Sequence, residues 1–525
     1  MRHESASQRK RRAHAAINRP ADPGVHFGPT APYEPLTHQA ATRLIEAAFT
    51  LLEQTGVAFD TDTEAPELFA AAGCKVAADG VVKLDRTTVE RALASVARQA
   101  RLWDRGGERY LELDNRHTWF MPGMTCIKVF DLDSGELRAS TGADLAMITR
   151  VADALPNIDG VCVACKDVEH SDIHGEIAEF AIMARNTTKP LEYLCEHAES
   201  FGVAIEMASA IRGSREALAE KPYFLQIITP LPLNYAKTHI DQVIMAARAG
   251  VPVSVGTLPI GGASSPITAA GCISQSLATD FAGMTLGQLA RQGSFVIGSS
   301  DVCFMEPATG GIGNFVQTSL SDMVMCQVRR ELGIPSFTGI GGQCAARSFN
   351  QDAVWELSSN LMQAFYSRPA TCDYLGSIDE GMTYSLQALL FCNDVAGLLR
   401  SLWQGVTVDD VSLALSEAQT VGPRGNYLAL DHTASHCREQ LWQTRYFGPH
   451  LPTRMSSLPD RDLAARIDVD LRQIIDTHTV PELPAAVIAE IDAIRARFAA
   501  SLAAGLPPNA AVGRPPRAAA SLPAS

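Results

Sequence analysis

The stretch that decides the fold is Tyr223-Phe224-Leu225-Gln226-Ile227-Ile228, followed by a helical pattern over His239–Arg248 and then by Pro252-Val253-Ser254-Val255-Gly256. Two short, apolar, β-rich runs separated by an amphipathic helix predict a βαβ unit, whose two strands are parallel. The same unit recurs on both sides of this stretch.

Five further β-rich runs share this character, at Gly160–Cys165, Leu191–Cys195, Phe295–Ser299, Ser336–Ile340 and Thr371–Leu375. Helical patterns lie between them, for example at Ala278–Arg291, Ser319–Glu331 and Gln351–Ser367. A doubly wound sheet would give the same alternation, but the evenness of the units favours an α/β fold of the (β/α)8 TIM-barrel type. An eighth strand would come from the front region or from the sequence after Thr383.

The rest of the chain divides around this repeat. We expect an N-terminal arm over 1–32, an α+β extension over 33–140, the barrel over 141–455, C-terminal helices over 456–504 and a disordered tail over 505–525. Within the extension, three- and four-residue spacing predicts helices at Leu36–Glu53 and around Thr87–Ala100. A hairpin-like pair is expected around Thr118–Val129.

The composition of the chain excludes some classes of function. The 525 residues are 46% hydrophobic and 19% charged, with a net charge of −14, which argues against a nucleic-acid or anionic-membrane partner. The twelve cysteines show no disulfide spacing and no zinc spacing, so we expect a reducing, cytoplasmic setting and no metal. No apolar run is long enough to span a bilayer.

A barrel would place active residues at the carboxyl ends of its strands and in the loops that follow. That rule selects two groups of residues. Polar and aromatic side chains are the catalytic or substrate-binding candidates, and glycines are the cofactor-binding candidates because they allow a flat cofactor to approach closely. The former are Glu196, His197, Asp301, Phe304, Gln343 and Tyr374, and the latter are Gly261, Gly262, Gly341 and Gly342. The carboxylates could equally be helix caps, His197 a packing residue and the glycines parts of tight turns.

Three motifs point to a known family. Leu258–Gly271, with its Gly-Gly-Ala and Pro-Ile-Thr-Ala-Ala-Gly, resembles a conserved stretch of the trimethylamine methyltransferase family. A second conserved stretch of that family resembles Gly341-Gly342 with Asn350–Ala353 and Glu356. The family's signature near the C-terminus is similar to Val421–Leu428 with His432-Thr433, His436 and Trp442. The N-terminal patterns Tyr33–Leu36 and Leu52–Val57 agree as well, so that the resemblance covers about residues 9 to 455.

The resemblance implies a (β/α)8 barrel and methyl transfer from an amine to a corrinoid carried by a partner protein, in one-carbon metabolism. We also expect a homo-oligomer. The family's founding members carry pyrrolysine in the barrel, whereas this chain has only standard residues, and Arg347 lies near the corresponding position. The chain also departs from the family at Asn350 and at Thr279-Asp280.

The missing pyrrolysine favours a quaternary amine of the betaine type, because a quaternary ammonium needs no activation and leaves as a neutral tertiary amine. Aromatic faces and carboxylates suit such a cation. The candidate cage is Tyr374, Phe304, Phe120, Trp119, Glu196 and Asp301, and Arg347 is the candidate for the carboxylate of a betaine. A non-catalytic barrel that binds quaternary amines, or a barrel lyase or hydrolase using Glu196 and His197, are the alternatives.

Overall fold

The computed structural model describes residues 31–504, except 124, 314–315, 339–340, 438–439 and 447–462. The expected arm and tail therefore lie almost entirely outside the described residues. Within these residues the chain is a mixed α/β protein. Its helices are His38–Gln54, Ala65–Ala71, Arg86–Ser95, Gly142–Ala154, Ile173–Asn186, Ala198–Arg212, Arg215–Glu220, Lys237–Ala249, Ala269–Ala290, Val316–Glu331, Gln351–Ser367, Leu386–Gln404, Asp410–Leu413, Leu415–Val421, Asp431–His436, Leu463–Thr477 and Ala485–Ala503.

Eight parallel strands form the centre, and each is followed by a helix. In chain order they are β1 Trp119–Pro122, β2 Val161–Cys162, β3 Leu191–Leu194, β4 Phe224–Ile228, β5 Val253–Val255, β6 Val296–Gly298, β7 Phe337–Thr338 and β8 Thr371–Leu375. All seven β-rich runs of the sequence are thus confirmed as strands, and the eighth comes from the front region.

These strands pair in two parallel ladders, β6-β5-β4-β3-β2 and β7-β8-β1. Backbone hydrogen bonds join the ladders next to β1 and β2: the Asp159 amide donates to the Phe120 carbonyl at 2.8 Å, and the Cys126 amide to Ala164 at 3.2 Å. Among the described residues there is no backbone ladder between β6 and β7.

A buried arginine connects β6 and β7 instead. Arg329 donates to the carbonyl of Ser300, just after β6, at 2.9 Å and to that of Phe337 in β7 at 3.0 Å. Its guanidinium also binds the carboxylate of Asp280 at 2.8 Å, and both side chains are 2% exposed. Asp280, where the chain departs from the family pattern, therefore has a structural role as the partner of Arg329.

The remaining strands belong to small sheets around this centre. They are Val57–Phe59, Lys75–Val76, Val81–Lys83, Ala100–Trp103, Tyr110–Leu113, Lys128–Phe130, Leu137–Ala139, Asn234–Tyr235, Ile260–Gly261, Cys303–Met305, Ile312–Gly313, Ser377–Ile378 and Thr383–Tyr384. The expected pairing within Thr118–Val129 is wrong. β1 pairs with β8, whereas Lys128–Phe130 forms its hairpin with Leu137–Ala139.

The expected helices near the N-terminus are confirmed with small shifts. Thr37 caps His38–Gln54 by accepting from the Ala40 amide, as its hydroxyl suits it to do. The front region then docks on the centre through Val57–Phe59, which pairs in parallel with Asn234–Tyr235 in the segment after β4. The ring of Phe59 stacks on Tyr235 with 5.0 Å between centroids.

Candidate functional site

A cavity of about 580 Å³ lies at the carboxyl ends of the parallel strands. Ile227 of β4 and Ser254 of β5 face it, and the residues just after these strands, including Thr229 and Gly256, continue the lining. A volume of this size suits a small molecule. The other strands contribute Leu194, Ser299, Phe337 and Asp373 at or near their carboxyl ends.

The cavity is acidic. The described carboxyl side chains that line it are Glu196, Asp301, Asp322, Asp373 and Glu380. Lys166 is the only basic residue among the described lining residues, and its ammonium is held 3.0 Å from the buried carboxylate of Glu179. The ionisable groups that face the cavity are therefore mostly acids, which favours a cationic ligand.

Two carboxyl groups of this region are buried: Asp373, which lines the cavity, and Glu192, which does not. Asp373 is 5% exposed, and its Oδ2 accepts from the Thr371 hydroxyl at 3.2 Å while Oδ1 has no hydrogen-bond partner. Glu192 in β3 is fully buried, and its carboxyl oxygens have no nitrogen or oxygen partner, only the weak donor thiol of Cys162 nearby. Burial raises the pKa of Glu192 to about 8. Burial, followed by the charges of Glu192 and Asp301, also raises the pKa of Asp373 well above its ordinary value.

A second acidic pair lies on the side of β6. Asp322 is buried and accepts from the Val302 amide at 3.1 Å. Burial and the nearby charge of Asp301 raise the pKa of Asp322 well above its ordinary value. Carboxyl groups that only stabilise the fold usually have a cationic partner, which lowers their pKa. Several carboxyl groups with raised pKa values in one cavity are therefore typical of a functional site.

Tyr374 is the aromatic residue placed most unusually. Its φ is +65°, in the left-handed region that non-glycine residues rarely adopt, and the β8–β1 register shifts between Cys372 and Leu375. Such backbone strain costs on the order of 1–3 kcal/mol and is commonly found at functional sites. Tyr374 lines the cavity, as does Phe337.

Five of the sequence-predicted site residues line this cavity: Glu196, Asp301, Gln343, Tyr374 and Gly341. Gln343 is fixed through its backbone, because its carbonyl accepts from the Asn360 side chain at 2.8 Å. The structure thus brings together candidates from the loops after β3, β6 and β7 and from β8 itself, as the rule for parallel strands predicts.

The structure places three aromatic candidates elsewhere. Trp119 is buried and donates to the Glu112 carbonyl at 2.8 Å, away from the cavity. The buried ring of Phe120 stacks near Trp403, and Phe304 lies against the α-carbon of Gly261. None of the three lines the cavity.

The polar candidates His197 and Arg347 are also outside it. His197 lies 3.1 Å from Glu176 with its side chain about half exposed. The Arg347 side chain is 91% exposed and 3.7 Å from Asp379. The sequence placed both near the mouth, but their side chains do not reach the cavity lining.

The glycines act mainly in close backbone packing. A Cβ on Gly342 would lie 2.1 Å from the Asp373 carbonyl, so only glycine lets this loop lie against the end of β8. Gly261 is packed against Phe304, and Gly262 has a φ of +94° in the turn beside it. Gly342, Gly261 and Gly262 do not line the cavity.

Sequence reasoning missed Glu192, Asp322 and Asp373. A signal existed for two of them: a carboxyl residue stands inside each otherwise apolar or small-residue run, Leu191–Cys195 and Thr371–Leu375. Charged residues are rarely fully buried without a purpose or a partner, so an acid within a buried strand indicates a site.

No group of three or more His, Cys, Asp or Glu side chains among the described residues is arranged to hold a metal ion. None of the helices in the same part of the chain combines the length and apolarity needed to cross a bilayer.

Fold and cavity together define an α/β protein with a concave, acidic small-molecule site at the ends of parallel strands. The chain belongs to the trimethylamine methyltransferase family, since the sequence model of the family described as trimethylamine methyltransferase (MTTB) matches residues 2–503. The family prediction is confirmed.

Relatives of this chain are named methyltransferases, in agreement with the predicted enzyme class. Trimethylamine methyltransferase MttB of Desulfitobacterium hafniense is 26% identical over 454 residues, which cover 85% of this chain and 90% of the relative. Glycine betaine methyltransferase of the same species is 25% identical over 476 residues, covering 89% and 97%. Among solved structures, the monomethylamine methyltransferase of Methanosarcina barkeri aligns with a TM-score of 0.44 and 13% identity over 88% of this chain and 94% of that one.

Proposed function

We propose that this protein transfers a methyl group from a quaternary amine of the betaine type to the corrinoid of a partner protein. The observation that carries the proposal is the acidic cavity, whose lining carboxyl groups outnumber its single, already paired lysine. Family membership and the substrates named in its relatives support the same reaction.

The cavity residues would bind and orient the cation. Carboxylates such as Asp301 and Asp373 supply negative charge, and the face of Tyr374 suits an ammonium group. For a substrate that also bears a carboxylate, the neutral amides of Gln343, Asn360 and Gln363 line the same cavity and can donate hydrogen bonds.

Orientation is the main contribution that such a site can make. A quaternary ammonium already carries a good leaving group, so the chain needs to hold one methyl in line with the acceptor and exclude other arrangements. The reduced corrinoid, when present, supplies a strong cobalt nucleophile. The protein's residues then steady the positive charge until it is lost with the methyl group.

The mouth of the cavity fits a flat, largely apolar acceptor. Leu231, Leu258 and Ile312 line it and are exposed, although large apolar side chains are usually buried. We propose that these three residues face the corrinoid of the partner protein. Of the predicted cofactor-binding glycines, Gly341 remains in this proposal because it lines the cavity.

A direct experiment mixes the protein with reduced cobalamin and a series of amines: glycine betaine, proline betaine, carnitine, choline and trimethylamine. The expected result is growth of the methylcobalamin absorbance with at least one quaternary amine and much slower growth with trimethylamine. No conversion of any quaternary amine would overturn the proposed function.

We further propose that the eight parallel strands close into a (β/α)8 barrel. The two ladders, the backbone bonds beside β1 and β2, and the bridge of Arg329 from β6 to β7 support closure. An experimental map with a flat, open sheet at β6 and β7 would contradict it.

A cytoplasmic homo-oligomer completes the proposal. All twelve cysteines are free thiols, which suits a reducing compartment. Val406, Val408 and Leu428 are 74–88% exposed on the segment that follows Leu386–Gln404, and large apolar side chains this exposed favour a protein contact. Light scattering that shows a monomer at micromolar concentration would remove the oligomer.

A further inference from the structure

Asp373 in the cavity lining and the buried Glu192 form a pair of carboxyl groups that has no counter-ion among its described contacts. The Oδ1 of Asp373 and both carboxyl oxygens of Glu192 lack a nitrogen or oxygen partner, and Glu192 meets only the weak donor thiol of Cys162 among its described contacts. Both side chains are at least nine-tenths buried. A buried polar group normally has a partner, because losing water without one is costly. These three oxygens therefore require an explanation.

The two acids influence each other electrostatically, since the charge of Glu192 acts on Asp373. Glu192 of β3 is the direct neighbour of Cys162 in β2, and the Cys162 thiol feels the charges of both Glu192 and Asp373. Asp373 lines the cavity, whereas the fully buried Glu192 does not. Asp373 is therefore the member of the pair that a ligand in the cavity can reach.

We infer that the ammonium group of the substrate is bound against Asp373 in the cavity, and that Glu192, which does not line it, is a positioning residue. This inference rests on the proposed function and deepens it by naming the residue that holds the charge. Asp373 is suited to the role because Thr371 fixes one carboxyl oxygen and leaves the other for the ligand.

Glu192 would influence cation binding at Asp373 through the proton that the two carboxyl groups share. Two buried carboxyl groups that feel each other's charge do not both ionise without a cation, so the empty pair retains a proton. A bound ammonium would supply the missing positive charge, and the pair would release that proton to solvent. The other titratable groups facing the pair are Cys162, Asp301 and Tyr374.

The test is calorimetric binding of tetramethylammonium to the full chain between pH 6 and 9, in two buffers that differ in ionisation enthalpy. For the wild type we expect proton release at pH 7 and tighter binding as pH rises, since protons compete with the cation. Asp373→Asn, which keeps the shape of the side chain, should weaken binding at least tenfold at every pH.

Glu192→Gln separates a positioning role from a packing role. It should still bind tetramethylammonium, with less proton release and a flatter pH profile, because Asp373 no longer shares a proton. The matched control is Glu206→Gln, on Ala198–Arg212 away from the cavity, where burial also raises the carboxyl pKa. We expect it to bind like the wild type.

Each outcome decides a different point. Equal binding by Asp373→Asn and the wild type would overturn the inference while methyl transfer to cobalamin could still uphold the proposed function. If Asp373→Asn does not fold, an unchanged pH profile in Glu192→Gln overturns the inference by itself. No binding by the wild type, together with no methyl transfer, would remove both.

Discussion

Replacing Arg329 by Met tests the connection between β6 and β7. The guanidinium is almost fully buried and binds Asp280 at 2.8 Å, the Ser300 carbonyl at 2.9 Å and the Phe337 carbonyl at 3.0 Å. Methionine keeps the apolar stem but removes every donor. The variant therefore leaves a buried carboxyl and two buried carbonyls without this partner.

The expected loss follows from these contacts. Removing one partner of a buried ion pair costs roughly 3–5 kcal/mol, because the other charge remains buried. Asp280 can respond by taking up a proton, since burial already raises its pKa, so we expect about 3 kcal/mol. That loss is a large part of the ~5–15 kcal/mol typical of folded proteins.

Urea unfolding followed by tryptophan fluorescence measures this loss. The matched control is Arg248→Met, whose ion pair with Glu64 is partly exposed and should change the free energy of unfolding by at most about 1 kcal/mol. A double variant, Arg329→Met with Asp280→Leu, should recover part of the loss because no buried charge remains. If Arg329→Met is no less stable than Arg248→Met, the reasoning is refuted.

Three further predictions address the cavity. Arg347→Ala should change the Kd for glycine betaine less than twofold by calorimetry, since its side chain is 91% exposed; a tenfold loss would place it in the site after all. Ser254→Phe, which fills the cavity from β5, should lower the rate of cobalamin methylation at least tenfold while circular dichroism stays unchanged, and a wild-type rate would show that the reaction occurs elsewhere. In the folded chain Glu192 has a pKa of about 8, above its ordinary value of 4.5, so it binds more protons when folded and the free energy of unfolding should fall as pH rises from 4.5 to 8. Urea midpoints across that range should vary less for Glu192→Gln, and identical slopes in the two proteins would contradict the assignment.

Much of the fold could be predicted from sequence because the parallel strands are buried on both faces and stand out as apolar runs. Helix boundaries were less accurate where amphipathicity was lost. The helix expected at Ala278–Arg291 begins at Ala269, and sixteen of its residues are buried, so no polar face marks its start. The role of Trp119–Pro122 was missed because its partner, Thr371–Leu375, lies far away along the chain.

The site was predictable in position but only partly in composition. The rule for strand ends selected Glu196, Asp301 and Tyr374, all of which line the cavity. Whether an aromatic side chain turns inward depends on strand register, which sequence alone did not fix for Phe120. The inward-facing acids Glu192 and Asp373 stand within strands, so a rule that considers only loops passes over them.

Transfer of an isotopically labelled methyl group tests the central claim most directly. With quaternary amines carrying ¹³C at one N-methyl, mass spectrometry and NMR can follow the label into cobalamin and measure the tertiary amine formed. The acidic cavity predicts labelled methylcobalamin and tertiary amine in equal amounts for at least one of these amines. Tertiary amine without labelled cobalamin, or no reaction with any of them, would contradict it.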